Sequence, residues 1–92
     1  MYKCVRIVVC QVSKKDFLRE VVQKNARALS IEGYAQFELS GGAKIVAYGH
    51  KENVDSFVDV VYREADVYGA SDIEVEALSK DKDFRGVFRV IE

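Results

Sequence analysis

Residues 2–12 alternate in character: Val5, Ile7 and Val9 fall on one face, Arg6, Val8 and Cys10 on the other. A period of two is that of a strand, and two fairly apolar faces suit a strand inside a sheet. The period then lengthens. Leu18, Val22, Ala26 and Leu29 recur at helical spacing, with Val21 and Ala28 on the shoulder. This predicts a helix that ends near Leu29 or Ser30, ahead of Gly33. Its start is read at Ser13, because Ser13-x-x-Asp16 has the form of a capping box with aspartate for glutamate. Residues 34–39 alternate again, with Ala35, Phe37 and Leu39 on one face. Ser40-Gly41-Gly42 is a hairpin turn, and 43–49 is the returning strand. Val54, Phe57, Val58, Val61 and Ala65 form the stripe of a second helix over 51–67, with its exit at Tyr68-Gly69-Ala70. Residues 72–78 read as a strand with Ile73, Val75 and Ala77 inward. A charged turn at 80–83 leads to a last short strand over 87–91.

The order is β-α-β-β-α-β plus a terminal strand. It predicts an α+β fold, the ferredoxin-like split βαβ sandwich, with one antiparallel sheet and both helices on one face. Crossover handedness places the first and third strands at the sheet centre. No linker, repeat or low-complexity segment interrupts the chain, so 1–92 reads as a single domain.

Composition narrows the function classes. Hydrophobic residues make up 49% of the chain, enough for a core and too many for a disordered segment. The net charge is −1 with both signs interspersed, so no basic block exists to grip a nucleic-acid backbone. No apolar run is long enough to span a bilayer. The short, alternating start reads as strand rather than signal peptide, and a cytoplasmic location is expected. Cys4 and Cys10 share one strand and stand roughly 20 Å apart, so they do not pair with each other. They read as free thiols in a reducing compartment; the alternative is an intermolecular disulfide or a reactive thiol. No metal-ligand spacing is present.

Motif spacing adds what topology cannot. Ala26-Arg27-Ala28-Leu29-Ser30-Ile31-Glu32-Gly33-Tyr34 resembles the acylphosphatase segment A-x-x-L-x-L-x-G-W, with tyrosine for tryptophan. Gly49 follows Gly41 by eight residues and Phe57 follows Gly49 by eight, as in that family. Phe88-Arg89-Val90 is similar to its closing F-x-I strand. The segment between Phe57 and Ile73 is a few residues long and lacks the usual Gly-Pro. The resemblance implies a domain acting on acyl phosphates, the mixed anhydrides of a carboxylic and phosphoric acid, with no metal or cofactor. In the family, a loop of the form G-x-V-Q-G-V-x-F-R wraps phosphate in backbone N–H groups, its arginine clamps the oxygens, and an asparagine on the second strand orients water. A nest of donors suits a multiply charged anion, and arginine offers a planar fork to two oxygens. The leaving group is already good, so positioning and charge stabilisation supply most of the catalysis.

Carried over residue by residue, the arginine falls on Arg19, which the resemblance makes the catalytic anion contact. The plainer reading is a solvated helix arginine beside Asp16 or Glu20. In the loop, Cys10-Gln11-Val12-Ser13 lies on G-x-V-Q. Lys14-Lys15-Asp16-Phe17-Leu18 then stands for G-V-x-F, one residue more and without glycine. Glycine is what lets backbone N–H groups close on a phosphate. With the capping signal read literally, Asp16 occupies those donors and repels an anion, while Lys14 and Lys15 restore positive charge as flexible helpers or are simply solvated. The asparagine position is Phe37, whose phenyl ring holds no water and reads as core. His50 reads as a helix-start residue, and Asp72, Glu74 and Glu76 as a solvated sheet face.

Two functions stay open on the sequence. One is a divergent acylphosphatase-like hydrolase with weak, altered or lost activity toward a small phosphorylated or anionic ligand. The other is a non-catalytic ferredoxin-like module for a protein partner or small anion.

Overall fold

The structure is a computed structural model and describes residues 1–11, 16–39, 41–79 and 84–91. Lys14, Lys15, Ser13, Ser40 and the charged turn expected at 80–83 lie outside the described residues.

Five strands and two helices follow the predicted order. They are β1 (Tyr2–Cys10), α1, β2 (Glu32–Phe37), β3 (Ala43–His50), α2 (Lys51–Val67), β4 (Asp72–Ala77) and β5 (Phe88–Ile91). Helix α1 has two parts, a π-helical stretch Phe17–Gln23 and an α-helical stretch Lys24–Ala28. The sheet order is β4-β1-β3-β2-β5, with the first and third strands inside as handedness requires. The first four strands are antiparallel. The expectation of a wholly antiparallel sheet is corrected at β5, which runs parallel to β2. The chain reaches that edge from β4 at the far side of the sheet, so it arrives pointing the same way as β2.

Cross-strand register lines up the helix-facing residues in rows. Phe88, Gly33, Ala47, Val5 and Ala77 form one; Val90, Ala35, Ile45, Ile7 and Val75 the next; Phe37, Ala43, Val9 and Ile73 the third. Helix α1 covers β2 and β5 through its π-helical stretch, and α2 covers β1 and β3. Between these layers lie the fully buried Phe17, Leu18, Val22, Ile7, Ile45, Phe57 and Val61. The α2 stripe of Val54, Phe57, Val61 and Ala65 is buried as its spacing predicts.

Coverage stops short of β4, and there the inward reading of its residues fails. Ile73 is half-buried, but Val75 is 39% exposed and Ala77 is exposed, because α2 sits over β1 and β3 instead. Leu39 is likewise not core: β2 ends at Phe37 and Leu39 stands free in the hairpin.

Gly33 is fixed by contact. Its φ is +142°, and a Cβ there would lie 1.9 Å from the Val46 carbonyl oxygen. Only glycine lets β2 approach β3 this closely.

Candidate functional site

Strand β1 runs out at Cys10, and Gln11 then turns with φ 60°. The row Phe37–Ala43–Val9 lies at this same end of the sheet, beside the hairpin that joins β2 to β3. The register thus brings together the exit of β1, the start of α1 and the end of β2. These are the three places on which the sequence resemblance puts a phosphate loop, an arginine and a water-positioning residue.

The expected N-cap, Ser13, lies outside the described residues. Asp16 directly precedes the π-helical stretch with a right-handed helical backbone, at φ −62° and ψ −22°, the conformation of a residue inside a helical turn rather than of an N-cap.

Phe17 and Leu18 are both fully buried, and Phe17 meets the Tyr68 ring at 5.3 Å. Arg19 is the first exposed basic residue of the helix. The family pattern sets its arginine directly after phenylalanine, and here Leu18 intervenes. A turn closed by i→i+5 bonds holds one residue more than an α-helical turn. The π-helical stretch begins at this same place. The surplus residue counted in the sequence and the widened turn thus coincide.

Phe37 ends β2 half-buried, packed against the core beside Ala35 and Ala43. Its ring has no donor or acceptor to hold water. Cys4 is buried and Cys10 half-buried, and neither is in a disulfide. His50 precedes α2 and stacks on Tyr2 with ring centroids 4.4 Å apart, a structural position at the helix start. Of the acidic trio, Glu76 pairs with Arg6 at 2.7 Å and Asp72 accepts a hydrogen bond from the Ile73 backbone N–H at 2.9 Å. No group of three or more potential metal ligands gathers among the described residues. Among the described residues, no helix is long and apolar enough to cross a membrane.

Sequence reading missed one feature, a groove on the helix-free face of the sheet lined by Arg85 and Arg89. The signal was the alternation of Phe88-Arg89-Val90, which turns Arg89 away from the buried Phe88.

Solved structures share the whole architecture. The acylphosphatase from Bacillus subtilis superposes with a TM-score of 0.83 at 24% identity, over 100% of both chains. An acylphosphatase from Coxiella burnetii gives 0.82 at 21% identity, covering 98% of this chain and 93% of its own. Full-length HypF in its phosphate- and nucleotide-bound form gives 0.82 at 13% identity, matching all of this chain with 12% of its own length. At these identities the likeness is one of fold. No curated protein matches the chain. The family model described as Acylphosphatase matches residues 7–90, nearly the full length and every strand, and the chain belongs to that family.

Proposed function

We propose that this chain binds acyl phosphates at the β1–α1 end of the sheet and hydrolyses them slowly. Arg19 is the anion contact, assisted by Lys14 and Lys15. In the reaction, water attacks phosphorus, the bond from phosphorus to the bridging oxygen breaks, and the carboxylate leaves with that electron pair. The attacking water yields its proton to solvent or to the phosphate oxygens. Family membership supports the reaction class. The observation that bears on the rate is Phe37, on which the sequence resemblance puts the family's asparagine and whose ring packs on the core. Loss of one preorganised polar group costs about 10²–10³ in rate. A residual activity from charge stabilisation and positioning follows.

The test is hydrolysis of a simple acyl phosphate by the wild-type chain and by Arg19→Ala. The expected result is slow turnover above background that falls roughly tenfold or more in the variant, the size of a charged contact to phosphate. Equal rates for the two proteins would remove Arg19 from the site and the hydrolase reading with it.

A further inference from the structure

The geometry points to a second ligand site on the opposite face of the sheet, one that takes a small organic anion carrying a flat ring. Strands β2 and β5 run parallel in register, with Tyr34 beside Arg89 and Gln36 beside Ile91. Their neighbours Ala35 and Val90 pack toward the helices, so these four side chains stand on the free face. The turn before β5 builds a wall over them. The Gly33 N–H donates to the Val87 carbonyl at 2.9 Å, and the Val87 N–H donates to the Phe84 carbonyl at 3.2 Å. This folds Phe84 over Tyr34, with ring centroids 6.4 Å apart and planes at 57°. The groove so enclosed has a volume of about 580 Å³, within the range of small-molecule sites.

Among the described residues, its lining carries two guanidinium groups, Arg85 and Arg89, and no carboxylate. No ion pair seen among the described residues engages Arg89. Arg85, at φ +56°, and Gly86, at +70°, are the two central residues of the turn that the Val87-to-Phe84 bond closes, a turn that requires positive φ at both. Guanidinium forks match the paired oxygens of a phosphate or carboxylate. Tyr34, Phe84 and Ile91 offer apolar surface to a ring, and the Gln36 amide offers both a donor and an acceptor. A bare inorganic ion would leave this surface unused, and an uncharged ring would leave Arg89 unmatched. The groove and the β1–α1 end lie on different faces of the sheet, so the two sites are separable.

The experiment is titration of the whole chain with adenosine 5′-monophosphate and with 4-hydroxybenzoate, followed by calorimetry and by backbone amide shifts. Adenosine and inorganic phosphate serve as half-ligands. Saturable binding by at least one of the ring-bearing anions is expected, with shifts centred on Tyr34, Gln36 and Arg89. Each half-ligand should bind at least tenfold more weakly. Arg89→Ala and Arg89→Lys should each lose roughly tenfold in affinity, because lysine keeps the charge but not the fork. Arg19→Ala should bind as wild type, which separates this site from the acyl-phosphate reading. Failure of both ring-bearing anions to saturate, phosphate shifting the Tyr34, Gln36 and Arg89 amides as tightly as either, or unchanged affinity in Arg89→Ala would each overturn the assignment.

Discussion

Ser30 ends α1 in the left-handed region, at φ 55°, where glycine is the cheaper residue. The Ile31 N–H donates to the Ala26 carbonyl at 2.8 Å and the Ser30 N–H to the Arg27 carbonyl at 3.3 Å, the paired bonds of a Schellman ending. Helix α2 ends the same way, but with Gly69 in the left-handed place. Ser30→Gly should therefore raise stability by about 0.5–1 kcal/mol, read as a higher urea midpoint at unchanged slope. Phe37 should show the opposite trade. Phe37→Asn should lower stability by about 1–2 kcal/mol, since a half-buried ring leaves the core. It should also speed acyl-phosphate hydrolysis about tenfold or more by returning a group that orients water. A variant no faster than wild type would mean that the β1–α1 loop, and not Phe37, limits the reaction. The packing of Phe37 was legible from sequence, because its alternation with Ala35 puts both on the apolar face. Gly33 itself was readable as a motif residue, while its reason, contact with the Val46 carbonyl, needed the register.

Elements were legible wherever one face is buried and the other is not. The stripe of α2 and the alternation of β1 carry their own period, and the structure follows both. The π-helical stretch was not readable. Phe17 and Leu18, then Val21 and Val22, recur as apolar pairs four residues apart, a spacing that serves 3.6 and 4.4 residues per turn about equally. Nor does a four-residue strand announce its partner, so the direction of β5 was missed. Exposure of Val75 was hidden for a related reason: it depends on where α2 lies, not on β4 itself. The wide turn makes a prediction of its own. Deleting Leu18 removes the surplus residue and sets Arg19 directly after Phe17. The variant should remain folded at a cost of about 2–4 kcal/mol, the range for a lost core side chain. Its α1 amide shifts should become uniformly α-helical, and its hydrolysis should exceed wild type. Slower turnover would show that the present site is built around the wide turn.

At the scale of the molecule, charges tie the layers together at one corner. Lys3 of β1 donates to Asp55 of α2 at 2.7 Å, and Lys51 donates to the other carboxylate oxygen at 3.0 Å. Hydrogen bonds from these two lysines hold the Asp55 carboxyl below the usual carboxylate range, and Asp55 in turn raises Lys51. A depressed acid stabilises the fold above its unfolded pKa, and that contribution fades as pH falls through the folded value. Stability should thus decline below about pH 4, and Asp55→Asn should flatten this part of the decline. The pair is solvent-facing, so about 1 M salt should shrink the difference between the two proteins. Acid melting curves of both, at low and high salt, check the point. An identical acid decline in both proteins would assign it to other carboxylates.

The parallel pairing of β5 with β2 also has a consequence in time. On the ribosome, β5 emerges after the other four strands of this sheet, and domains fold as units during synthesis. Phe88 is buried against Phe57, with ring centroids 6.1 Å apart. A nascent chain that has delivered the strands only up to β4 therefore lacks that aromatic partner and leaves the outer edge of β2 unpaired, an open edge that the emergence of β5 closes.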